Sequence, residues 1–139
     1  FSAQVLKANM RIVGNAEYAL LLYRDKLPKF NNSGKMVFNV MDWPRDTKSE
    51  KIHPTQKPVP LLKTLIEIFT DPGDVVIDPV AGSGSTLVAA LECGRQAFGF
   101  EIKKDFFAAA NEWVTRTEAQ GMLFKNDKRR AAPEQQVIA

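Results

Sequence analysis

The sequence predicts an α/β fold, an open doubly wound sheet whose parallel strands are joined through helices. Two observations carry this. Apolar runs of strand length alternate with helical patterns in the order helix, strand, helix, strand, helix, which leaves the strands parallel. Between the two strands lies Asp78-Pro79-Val80-Ala81-Gly82-Ser83-Gly84, a turn rich in Gly and Ser entered straight from the apolar run Val75-Val76-Ile77. An apolar run, such a turn and then a helix is the layout of a nucleotide-binding βα unit.

Each element has a local cause. Residues 1–11 alternate poorly and read as a loop or frayed end. Glu17 to Arg24 is a short apolar run with Tyr18 and Tyr23 as strand formers. Residues 25–52 hold Pro28, Asn31-Asn32, Ser33-Gly34, Pro44 and many charges, a loop composition, with Met36 to Val40 as one edge strand. Pro60 suits a first helical turn, and Leu61, Leu62, Leu65, Ile66 and Phe69 follow at helical spacing. Asp71-Pro72-Gly73-Asp74 ends that helix and turns the chain into strand 75–78. A helix over 85–93 is closed by Gly94. Ala97-Phe98-Gly99-Phe100-Glu101-Ile102 is the second strand. Phe106, Ala110, Trp113, Val114 and Thr117 share one face of a last helix, expected to end near Gly121.

The turn's spacing narrows its ligand. A dinucleotide fingerprint calls for Gly or Ala where Leu87 stands, and a Walker loop calls for Lys before Ser85 or Thr86. Neither is present. Instead an acid closes each strand, Asp78 the first and Glu101 the second. A carboxylate at the end of the second strand is placed to accept hydrogen bonds from a ribose diol. A glycine loop, a ribose-reading acid and no phosphate clamp suit an adenosine ligand without phosphates, and S-adenosylmethionine is the candidate.

Three motifs then point to a family. Asp78 to Thr86 resembles the DPxxGSGT cofactor motif of DNA amino-methyltransferases, which methylate N6 of adenine or N4 of cytosine. His53-Pro54-Thr55-Gln56-Lys57-Pro58, followed by Leu61-Leu62, resembles the HPTQKP element just upstream of that motif. Gly99-Phe100-Glu101-Ile102 fits the second cofactor motif. Together they span residues 53 to 102 in the family's order. Val80 departs from the usual Phe. The resemblance implies a Rossmann-like methyltransferase sheet, present here only in part, with S-adenosylmethionine as cofactor and DNA as partner.

It also implies roles for the cofactor-binding residues. Glu101 holds the ribose diol; Val80, Phe100 and Ile102 offer apolar contact to adenine or ribose. Gly82, Ser83, Gly84 and Thr86, with Pro79 before them, shape the loop around the methionyl part, and Asp78 lies near its ammonium. Thr55 and Lys57 are candidates for the methionine carboxylate; for Lys57 a solvated helix-start lysine is an equal reading.

No metal ligands are expected from one histidine and one cysteine. The catalytic motif of the family, (D/N/S)PP(Y/W/F), occurs nowhere in the 139 residues. Only 37 residues follow Ile102, too few for the catalytic strand and a target-recognition region. The expectation is therefore a β-type arrangement, with the missing N-terminal catalytic half as a partner and this piece inactive alone. It divides the chain into 1–52, the end of the catalytic half with a basic loop suited to DNA recognition; 53–121, the S-adenosylmethionine-binding subdomain; and 122–139, a basic disordered tail.

Charge adds little to this. The net charge of +3 is modest. Lys125, Lys128, Arg129 and Arg130 cluster after the last helix, where a solvated tail is favoured over phosphate contact. No apolar run approaches the ~20 residues that span a bilayer, and a lone Cys93 implies no disulfide framework. A reducing cytoplasm is the expected compartment.

Overall fold

A computed structural model describes residues 16–27, 29–43 and 46–130, the stretch 122–130 as backbone only. The elements run α1 (Val59–Phe69), β1 (Val75–Asp78), α2 (Ser85–Glu92), β2 (Gln96–Gly99) and α3 (Lys104–Arg130). β1 and β2 pair in parallel, with Val75 opposite Gln96 and Asp78 opposite Gly99, and α2 forms the crossover between them. Parallel strands cannot be joined by a tight turn, so a long crossover is required, and here it is α2. The α/β parallel sheet expected from the sequence is present, in its partial form.

α2 is the centre of the molecule. Val88, Ala89 and Ala90 on it are fully buried, and Val59 and Ile66 of α1 pack on them from one side, Trp113 of α3 from the other. Small residues at 89 and 90 let both helices approach closely. Val76 and Ala97 bring the inner face of the sheet onto the same cluster. The outer face is different: Ile77 and Phe98 remain 63% and 56% exposed. Strand alternation puts one set of residues inward and the other outward, so this sheet is covered on one side only among the described residues.

α1 is started from a distance. Pro58 precedes the helix without a side-chain cap, and Pro60 occupies its first turn as expected. The cap comes from Asp46, whose Oδ2 accepts the Val59 N–H at 3.1 Å while its Oδ1 accepts the Lys48 and Ser49 N–H groups. Burial pushes the Asp46 carboxyl up, but the bonds from Ser49, Val59 and Lys48 outweigh it and leave its pKa lowered. A lowered folded-state pKa means the stabilisation is present above the unfolded value, near 4, and is lost as pH falls through the folded one. Asp46→Asn is expected to cost about 1 kcal/mol at neutral pH. Denaturant unfolding at pH 7 and again below pH 3 measures it, and the gap between variant and parent should close in acid.

The other end of α1 is tied by a buried arginine. Arg95 donates from Nε to the Thr70 hydroxyl at 2.9 Å, from Nη2 to the Thr70 carbonyl at 2.6 Å, and from Nη1 to the Cys93 carbonyl at 2.5 Å. It thereby closes the C-terminal ends of α1 and α2 together. Asn31 adds a side-chain bond to the same Thr70 carbonyl, and its own N–H donates to the Ile68 carbonyl at 2.7 Å.

Four expectations change. Glu17 to Arg24 and Met36 to Val40 form no strand; both run as exposed, unpaired backbone among the described residues. A β-prone segment becomes a strand only when an edge is available to pair with it. α3 continues through Gly121 to Arg130 instead of stopping. The stretch 122–130 is accordingly helical rather than a disordered tail; one glycine costs about 1 kcal/mol in a helix but ends it only by turning left-handed. Residues 1–11 and 131–139 lie outside the described residues.

Candidate binding site at the strand ends

The site is built where β1 and β2 finish level with each other. Beyond the last paired residues the ladder continues: Phe100 N–H donates to the Asp78 carbonyl at 3.0 Å, and Ala81 N–H donates to the Phe100 carbonyl at 2.8 Å. The Gly-Ser turn is therefore fastened to the exit of β2. Asp78 Oδ1 accepts the Val80 N–H at 3.0 Å, a local turn that starts the loop, and Gly84 N–H on the Ala81 carbonyl at 2.8 Å closes it.

The two loop glycines have different reasons to be glycine. Both sit in the left-handed region, Gly82 at φ 54° and Gly84 at φ 80°. A Cβ added at Gly82 meets nothing nearer than the Val80 carbonyl at 3.9 Å, so this bend borders open space. At Gly84 it would stand 3.1 Å from Ala110 Cβ and 3.4 Å from Val114. Gly84 thus lets α3 lie against the start of α2. Ser83 is buried and Thr86 half-buried.

Glu101 faces the bend. Its Oε2 accepts the Gly82 N–H at 2.9 Å and its Oε1 accepts the Lys103 N–H at 2.8 Å. The Lys103 bond holds the carboxyl below the usual carboxylate range against the opposing effect of burial, with Gly82, Ile102 and the charge of His53 helping. An ionised carboxylate offers about four acceptor positions, so two backbone bonds leave two for a ligand. Three apolar side chains near it in sequence or in the loop are exposed: Val80 at 77%, Phe100, and Ile102 at 95%. Alternation continues the outer face of β2 through Phe100, on the side opposite Glu101.

The His53 element approaches the same place. Gln56 N–H donates to the His53 carbonyl at 3.1 Å to form the turn, and the Gln56 side chain bonds Ile52 N–H and the Glu50 carbonyl. The His53 ring lies edge-on to Phe106 in the first turn of α3, with centroids 4.4 Å apart. Thr55 is exposed, its hydroxyl 3.0 Å from His53 Nδ1. Lys57 is paired with Glu17 at 2.5 Å and stands 5.2 Å over the Trp43 ring. Neither the Glu17 partner nor the Phe106 contact was legible in the sequence, because each joins segments about forty residues or more apart. Of the basic residues expected to give the 25–52 loop its DNA-facing character, Lys29 is held by Asp71 and Asp74.

The family model described as DNA methylase, of the N6/N4 class, matches residues 10–112. The chain belongs to this DNA methylase family. Among curated relatives it is 41% identical over 95 residues to YubD of Escherichia coli (strain K12), covering 68% of this chain and 39% of that protein. It is 40% identical over 94 residues to the DNA adenine methyltransferase YhdJ of the same strain, covering 66% and 32%. The chain thus spans only about a third to two fifths of the length of these relatives. Among solved structures, the M1.HpyAVI–SAM complex superposes with a TM-score of 0.57 at 30% identity, covering 66% of this chain and 46% of that one. The DNA methylase match takes in all three motifs read from the sequence.

Proposed function

We propose that this chain is the S-adenosylmethionine-binding part of a DNA methyltransferase acting on N6 of adenine. The carrying observation is Glu101, fixed by two backbone N–H groups at the mouth of two parallel strands with acceptor positions left over. The residues present fit the cofactor: Glu101 for the sugar hydroxyls, the open bend at Gly82 for close approach, exposed Val80 and Ile102 for the flat base. S-adenosylmethionine supplies an activated methyl group on its sulfonium, so what is asked of the protein is position. Thr55, Lys57 and Asp78 are proposed for the amino-acid end. Relatedness to a protein named as a DNA adenine methyltransferase supports adenine; N4 of cytosine is the competing target.

Methyl transfer also requires a motif that accepts the amine's hydrogens on a base extruded from the helix. The 139 residues contain no (D/N/S)PP(Y/W/F) sequence. We therefore propose that activity needs further chain, the catalytic half, for which the uncovered Ile77–Phe98 face is a natural seat. DNA is the proposed substrate and the cytoplasm the compartment; no helix among the described residues is long and apolar enough to cross a membrane.

Calorimetry with S-adenosylmethionine and with NAD tests the reading. Binding of the first alone is expected, and tight NAD binding would overturn it in favour of an oxidoreductase. Radiolabelled methyl transfer to DNA by the isolated chain is expected to be absent. Lys57→Ala separates two roles: if the ammonium meets the methionyl carboxylate, S-adenosylmethionine should weaken about tenfold and adenosine hardly at all. Equal losses on both ligands would assign Lys57 to its Glu17 and Trp43 contacts only.

A further inference from the structure

α3 runs on past the packed body of the molecule. Ala110 and Trp113 are buried and Val114 and Thr117 half-buried, but Glu118, Ala119, Gln120 and Gly121 are all exposed. Four consecutive residues cover every side of a helix of about 3.6 residues per turn. At this turn, therefore, nothing among the described residues packs on α3 from any direction. The helix nevertheless continues to Arg130, about 20 Å beyond Glu118 at the rise of an α-helix. This free end carries Lys125, Lys128, Arg129 and Arg130 against Asp127, a formal charge of +3 that equals the net charge of the entire chain. The rest of the sequence balances to zero.

We propose that the free end of α3 is an arm that binds the phosphate backbone of duplex DNA. This rests on DNA being the substrate, as proposed above, and adds a contact outside all three motifs. Positions 125, 128 and 129 share one side of the helix and cover about 6 Å of its length. Duplex DNA carries one negative charge per about 1.7 Å of its axis, so three cations over that length face about three to four phosphate charges. Such a match releases condensed counterions and favours binding without reading sequence. An acidic membrane surface would instead call for an apolar face beside the cations. The large apolar residues of this end, Met122, Leu123 and Phe124, are consecutive and so spread around the helix, about 100° apart. A helix without tertiary packing is marginal in water, and a phosphate backbone supplies the counter-charge that holds this one.

Fluorescence anisotropy of a labelled duplex of about 20 base pairs, titrated with the full 139-residue chain at about 50 to 200 mM salt, tests the arm. For the parent, log K should fall against log salt with a slope of about −3, as expected for three to four neutralised phosphates. Lys125→Gln, Lys128→Gln, Arg129→Gln and Arg130→Gln combined keep a good helix former at each position. Together they should weaken binding at least about 30-fold at the lowest salt and flatten the slope to within about 1 of zero. Exchanging the lysines for arginines and the arginines for lysines keeps the charge and should hold affinity within about threefold. Gly121→Pro breaks the helix at its exposed turn and should cost about three- to tenfold, whereas a flexible basic tail would not register it. DNA binding by the parent that is absent or independent of salt overturns the arm, as does a glutamine variant or Gly121→Pro that binds like the parent. Tighter binding to vesicles of phosphatidylcholine and phosphatidylserine than to the duplex overturns it in favour of a membrane contact. Calorimetry with S-adenosylmethionine keeps the two readings apart. Cofactor binding without salt-dependent DNA binding defeats only the arm; DNA binding through the arm without cofactor binding defeats only the cofactor reading.

Discussion

Trp113→Ala should cost about 3–5 kcal/mol of folding stability. Trp113 is 7% exposed and is the largest side chain that α3 places in the cluster around Val88, Ala89 and Ala90. Two of those three neighbours are alanines, which have no side chain with which to collapse into the space. The truncation therefore leaves a cavity that cannot close by repacking, and the upper part of the range applies. Since folded domains are stable by only about 5–15 kcal/mol, the variant is expected to melt well over 5 °C below the parent. Thermal unfolding followed by circular dichroism measures this, and Trp113→Phe, which fills much of the volume, should recover at least half of the loss. A drop below about 1 kcal/mol for Trp113→Ala would mean that α3 is not docked on α2 as described.

The same contact connects stability to the site. Gly84 can abut Ala110 and Val114 only because α3 is pressed against the start of α2. Lys103 and Phe106, which hold Glu101 and His53, belong to the approach and first turn of the same helix. Loosening α3 at Trp113 thus removes the fixed positions of both.

The legible parts of this fold are those whose cause is local. A Gly-Ser turn entered from the apolar run Val75-Val76-Ile77 and followed by a helical pattern implies strand, bend and helix in that order, and β1, α2 and β2 follow. Gly94, at φ 74°, closes α2 as its position after the helical pattern implied. The place of Glu101 at the exit of the second strand was readable because the apolar run leads into it, although β2 itself ends two residues earlier, at Gly99. What could not be read depends on partners chosen by the tertiary fold. Asp46 caps α1 from 13 residues upstream, across a loop whose path no pattern fixes. Tyr18 to Tyr23 has the composition of a strand, but composition specifies a pleated surface and not the edge that would pair with it. Gly84 looks like Gly82 in the motif; only the distance to Ala110 shows that one abuts α3 while the other borders open space. Gly121 sits among residues that favour helix strongly enough to carry α3 through it.

Glu101→Ala is the second large effect, a loss of about 1–3 kcal/mol in binding S-adenosylmethionine, or roughly fivefold to 150-fold. The loss has two sources that a second variant separates. Alanine removes the acceptors for the ligand's hydroxyls, and it also strands the Gly82 and Lys103 N–H groups, freeing the bend and the start of α3 from each other. Glu101→Gln keeps one acceptor oxygen for a backbone N–H and removes the charge, so it should bind with intermediate affinity. Because the folded carboxyl titrates below the usual range, the parent's affinity should hold as pH falls past about 4, where an unperturbed glutamate would already be half protonated. Calorimetry from pH 7 downward reads both points. Affinity that is untouched by Glu101→Ala would remove the ribose role and, with it, the reason for placing an adenosine ligand at these strand ends.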